Sequence, residues 1–168
     1  KSWVRACPVP VKKPDNRPFS RWRTIEAGIR AGGVWPDVYH LFLSARAFDD
    51  EALTLFLKSY VEHAEYLMAF KTTGNWLTME ANGLYHVGAL FPEFKDAARW
   101  RATALERLTA ELDIQVYPDG AQIELAPGYH GVSVHNFLGP INLVPLTGCA
   151  VPDTYVAKME RMFDYFLY

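Results

Sequence analysis

Between Asp50 and Lys71 apolar side chains recur every three or four residues, as Leu53, Phe56, Leu57, Tyr60, Val61, Ala64, Leu67 and Met68. Only a helix brings that spacing onto one face, and Lys71 stands where a cation offsets the helix dipole. The same period governs most of the chain. Trp22, Ile25 and Ile29 follow Ser20, a good N-cap, and predict a short helix stopped by Gly32-Gly33. Pro36 opens another with Val38, Leu41, Phe42 and Ala45 inward, ending before the Asp49-Asp50 cap. Leu77, Ala81, Leu84, Gly88 and Phe91 predict a helix closed by Pro92, and Ala98, Ala102, Leu105, Leu108 and Leu112 predict one over 95–113. Pro140 and Pro145 interrupt the apolar residues of 131–148, so a broken helix is expected there. Val156, Met159, Phe163 and Phe166 are the expected inner face of a last helix beginning at Asp153 or Thr154. Period-2 alternation is nearly absent, apart from a short extended piece near Asp119-Gly120. The pattern predicts an all-α architecture of antiparallel helical hairpins without a fixed repeat.

At 168 residues, half of them hydrophobic, the chain can bury one core. The first 20 residues hold Pro8, Pro10, Pro14 and Pro18 among Lys12, Lys13 and Arg17, a composition suited to an extended arm or linker ahead of a helical domain over 21–168. The formal charge of −2 gives no basic field for nucleic acid, and no apolar run approaches the ~18–20 residues that span a bilayer. Cys7 and Cys149 can pair or stay as two separate thiols. The histidines are scattered and no HExxH or phosphate-binding glycine motif occurs, so no metal or cofactor is expected in this chain. A start at Lys1 and an uncapped amphipathic pattern over 159–168 are what a piece of a longer protein would show.

Two polar clusters flank the helices of 77–113. In Thr72-Thr73-Gly74-Asn75-Trp76, Asn75 is either a helix N-cap or a free carboxamide able to donate to a ligand carboxylate. Asn75, Met79, Asn82 and His86 step along one face, distinct from the apolar stripe, which either lines a cleft or is solvated. In Asp119-Gly120 to Gly131, the glycines and Pro127 predict a loop that holds Glu124, Tyr129 and His130. Tyr129 is either a packed aromatic or a proton donor. His130 orients Tyr129, contacts a ligand or stands by. Glu124 with Asp119 would be a carboxylate pair for glycoside hydrolysis, although Asp119 before Gly120 reads first as a turn residue. A non-catalytic carbohydrate-binding helical module is the third reading.

Taken together, GNWLTMEANGLYHVGALFPEF, Trp100 in the next helix and PDGAQIELAPGYH resemble the N-terminal helical toroid of the heparinase II/III-like polysaccharide lyases. The likeness is dense over 72–131, and WRTIEAGIRAGGVW is similar to the preceding helix of that family. What the resemblance implies is part of an (α/α) toroid, secreted or periplasmic, that acts on acidic uronate polysaccharide such as heparan sulfate, alginate or ulvan. It implies β-elimination, with Asn75 neutralising the uronate carboxylate and Tyr129, assisted by His130, transferring the proton. Many members have His after that Asn; here Trp76 stands there, suited to stacking on a sugar. Trp76, Asn82, His86 and Glu124 are the expected substrate contacts. The family's C-terminal β-rich domain, which carries a basic His and often a metal site, lies outside this chain, and the isolated piece is expected to be inactive.

Overall fold

The computed structural model describes residues 1–11 and 20–167. It is all-α: α1 (Ser2–Ala6), α2 (Thr24–Ile29), α3 (Trp35–Phe42), α4 (Asp50–Ala69), α5 (Gly74–Leu90), α6 (Ala97–Gln115), α7 (Pro127–Thr147) and α8 (Asp153–Leu167). Among the described residues the one extended pairing is an antiparallel bridge between Val116 and Gln122, where the short extended piece was expected. The periodicity of α4 holds, and Asp49 caps it by accepting the Ala52 N–H at 2.8 Å.

Register fixes the directions of the central helices. Arg101 donates to the Gly88 carbonyl and Gln115 to the Thr78 hydroxyl, so α6 runs antiparallel to α5. Asn82 donates to Asn136 at 3.1 Å, and Gly139, further along α7, lies against Asn82 and His86. Thus α7 runs parallel to α5, with α6 returning between them. On the other side α2 meets α5 backbone to backbone, since a Cβ on Gly28 would stand 2.6 Å from the Met79 carbonyl oxygen.

Two apolar clusters hold these layers. One gathers Trp22, Tyr60, Leu67, Leu84 and Trp100, and the other Leu108, Leu112, Phe137, Tyr155, Met159 and Met162. Each large side chain so enclosed contributes about 1.5–3 kcal/mol. Inside the first, the Arg30 guanidinium lies over the rings of Trp3 and Trp22, and its Nε–H donates to His63 Nε2 at 3.1 Å. His63 in turn donates from Nδ1 to the Ser59 carbonyl at 2.7 Å. Burial, with the Arg30 charge beside it, pushes His63 down to about 3, and burial lowers Arg30 to about 10.

Several expectations need correction. Gly32-Gly33 do not stop a helix: α2 passes through a π-helical stretch, Arg30–Val34, directly into α3. The stretch is wide enough to keep Ala31 buried, where its carbonyl accepts the Tyr60 hydroxyl. Ser2–Ala6 form a helical turn docked by Trp3 rather than an extended arm, and residues 12–19 of that arm lie outside the described residues. The loop at PGYHG and the broken helix after it are one continuous helix, α7, with Pro127 in its first turn and Pro140 and Pro145 inside it. Packing of Asn136 and Phe137 against neighbouring helices outweighs the lost proline hydrogen bonds. In α8, Tyr155, Met159 and Met162 are buried while Phe163 and Phe166 are exposed, so only Met159 of the expected inner face is correct. Cys7 and Cys149 are both free thiols.

Candidate active site

Along one side of α5 runs a groove of about 520 Å³. Met79 and Asn82 of α5 form its floor, the π-helical stretch one wall, and Gly128, Gly131 and Val132 of α7 the other. Asn75 and Tyr129 belong to the first turns of the helices that meet here. Asn75 precedes Asn82 by seven residues, and Tyr129 precedes Asn136 by the same number. Seven residues are just under two helical turns, about 10 Å of rise, so each returns to nearly the same helix face. Because Asn82 and Asn136 touch and the helices are parallel, Asn75 and Tyr129 hold corresponding positions two turns before that contact, just beyond the residues that line the groove.

Neither side chain makes a hydrogen bond among the described residues. Asn75 is not an N-cap: Thr73 holds that position, and Asn75 lies inside the first turn, 9% exposed, with its Oδ1 enclosed and unbonded. Its Nδ2 donates to no acceptor among the described residues. Tyr129 is 53% exposed and its hydroxyl likewise has no hydrogen-bond partner among the described residues. A buried carboxamide left unbonded costs about 1–3 kcal/mol, which a fold retains where a ligand restores the bond.

The carboxylate that sets this corner is Glu80, which is fully buried. It accepts the Thr72 N–H at 2.9 Å and the Thr72 hydroxyl at 2.7 Å, tying the Thr72–Gly74 turn to the middle of α5. Gly74 then supplies a φ of 64° that launches the helix. Burial pushes the Glu80 carboxyl up, offset in part by the nearby Thr24 hydroxyl, by the hydrogen bonds from Thr72 and by the Arg107 charge. Nothing local in the sequence marks Glu80, because its partner lies eight residues away across a turn.

The remaining candidates separate. His130 is 2% exposed; its Nδ1 accepts the Gln122 N–H at 3.3 Å and its Nε2 donates to the Met162 carbonyl at 2.9 Å. Both nitrogens are therefore engaged by backbone, and His130 ties the 116–126 loop and α8 to the first turn of α7. Asn82 lines the groove, but its Nδ2 is spent on Asn136, a partner that sequence reading missed although it repeats the Asn75 to Tyr129 spacing of 54. His86 donates its Nδ1–H to the Asn82 carbonyl and stands beside Gly139, outside the groove lining. Burial lowers its pKa. Trp76 is 37% exposed, with the Arg23 guanidinium 5.2 Å over its ring. Glu124 is exposed and bonded to Gln122 through its own amide. Its carboxylate accepts from Gln122 Nε2 at 3.5 Å, and Asp119 accepts the Ala121 N–H at 3.0 Å, as a turn residue does.

The fold and groove define part of an α/α toroid with unbonded polar groups at the ends of two parallel helices. The sequence matches the family described as Heparinase II/III N-terminus over residues 1–168, and the chain belongs to that family. It is 37% identical over 164 residues to a heparin-sulfate lyase of Pedobacter heparinus, covering 95% of this chain and 24% of that protein. It is 35% identical over 148 residues to a heparin-sulfate lyase of Bacteroides stercoris, covering 86% and 22%. The crystal structure of heparinase III superposes with a TM-score of 0.89 at 26% identity, over 99% of this chain and 25% of that one. The chain thus spans about a quarter of the length of these relatives.

Proposed function

We propose that the protein containing this chain is a polysaccharide lyase that cleaves a uronate polymer of the heparan sulfate class, outside the cytoplasm, by β-elimination. What supports this reading is that Asn75 and Tyr129 hold equivalent positions, seven residues before the Asn82–Asn136 contact, on two parallel helices, each without a side-chain hydrogen bond among the described residues. In the reaction a base takes the proton from C5 of the uronate, electron density moves onto its carboxylate, and the C4–O4 bond breaks to leave a C4–C5 double bond. The C5 proton is weakly acidic until the carboxylate charge is stabilised, and donors aimed at that charge supply much of the rate. Asn75 Nδ2 is such a donor. Tyr129, with an accessible and unbonded hydroxyl, moves the proton at C5 or at the departing O4. The chain outside this segment completes the site.

The test is made in the full-length protein on heparan sulfate. Tyr129→Phe lowers kcat by roughly 10²–10⁴-fold with KM little changed. Asn75→Ala also lowers kcat while leaving the melting temperature near wild type, because no cap bond is lost. Turnover is followed by the near-ultraviolet absorbance of the new double bond. Hydrolysis would release reducing ends without that absorbance, and a binding module would release neither. Unchanged turnover in Tyr129→Phe removes the residue from the mechanism.

A further inference from the structure

The eleven glycines of the chain divide by what a side chain would meet. Three occupy turns or caps with positive φ, four press so closely on a neighbouring helix or on Asn82 that a Cβ would collide, and a Cβ on Gly32 would sit tightly, 3.1 Å from the Gly83 Cα. Gly33, Gly128 and Gly131 are left. A Cβ on Gly33 or Gly128 would meet nothing within 4 Å, and on Gly131 only the Phe166 ring at 4.0 Å. All three lie in helical backbone with φ in the ordinary range. Alanine there would favour the helix and restrict the unfolded chain, so folding alone prefers it. Yet all three line the same groove, Gly33 on one wall and Gly128 and Gly131 on the other. Asn82, 5% exposed, lies on the floor between them, with its Nδ2 on Asn136 and its carboxamide oxygen packed against Gly139 of α7.

We propose that Gly33, Gly128 and Gly131 are specificity-determining residues that keep both walls of the groove at bare backbone, so that a sugar ring of the polymer can enter edge-on and lie against the peptide planes above Asn82. This rests on the lyase reading above and adds to it which residues set the width of the cleft. Methyl groups on the walls would narrow the passage from both sides without disturbing the helices behind them.

In the full-length protein, Gly33→Ala, Gly128→Ala and Gly131→Ala are compared with wild type by melting temperature and by steady-state cleavage of heparan sulfate. Gly88→Ala, whose Cβ would strike the Ala97 carbonyl in the α5–α6 contact, is the control. The expected result is a melting temperature equal to or above wild type in the three groove variants, with KM raised roughly tenfold or more and kcat changed less. Gly88→Ala should show the reverse, a lower melting temperature and an unchanged KM. Unchanged KM in all three groove variants overturns the proposal, as does a fall in melting temperature like that of the control. A wild-type protein that neither binds nor cleaves the polymer overturns the lyase reading and this one with it, whereas an active wild type with indifferent groove variants overturns this one alone.

Discussion

His63 shows how one side chain can make the stability of this fold depend on pH. Its ring is enclosed by Trp3, Trp22 and Trp35, with Nε2 accepting from Arg30, and it is held near a pKa of about 3. In the unfolded chain it returns to the ordinary histidine value of about 6.5. Between those values the unfolded state binds more protons than the folded one, so stability rises with pH through that window and is fully present above it. Stability should therefore fall by about 1.4 kcal/mol per pH unit as pH drops below 6.5. His86, also lowered by burial, acts in the same direction. Chemical denaturation at pH 7 and pH 5 measures the loss, and His63→Gln should reduce it. An equal loss in that variant would assign the effect elsewhere. At this scale the sequence was a partial guide. It singled out Asn75 and Tyr129, but it could not show that Glu80 braces the turn before Asn75 or that Asn136 bonds Asn82, since both contacts join residues that no helical period relates.

At the scale of elements, α4, α5 and α6 were legible because each carries an apolar stripe at helical spacing, with Asp49 as a cap on α4. The long α7 was not. Its apolar residues are spread around the axis, and its two internal prolines argue locally for a break that tertiary packing forbids. The π-helical stretch was equally hidden, since two adjacent glycines ordinarily end a helix. Glycine has a different use where α2 crosses α5. Gly28 and Gly83 touch through their backbones, and a Cβ on Gly83 would collide with the Gly28 backbone. Gly83→Ala should therefore cost about 3 kcal/mol through overpacking, read as a lower denaturation midpoint with an unchanged slope. A midpoint equal to wild type would show that the two helices can move apart freely.

At the scale of the molecule, the segment spans about a quarter of its relatives and leaves apolar side chains in water at its C-terminal end. Ile114, Ile123 and Leu125 are exposed near the 116–126 loop, and Phe163, Phe166 and Leu167 along the end of α8. Exposed apolar surface of this kind marks an interface. Residues 1–168 expressed alone should self-associate with rising concentration in sedimentation velocity and cleave heparan sulfate at less than about 1% of the full-length rate, for want of the groups that complete the site. Full activity in the segment would show that it already holds the whole catalytic apparatus. The matched seven-residue steps from Asn82 to Asn75 and from Asn136 to Tyr129 also divide the chain by its tolerance of altered length. One residue added inside either step would swing Asn75 or Tyr129 by about 100° around its helix. One added within 116–126 changes neither angle, because a loop between helices absorbs it. Insertions and deletions that keep Asn75 and Tyr129 in phase are thus confined to the connections, while the two steps are fixed in count.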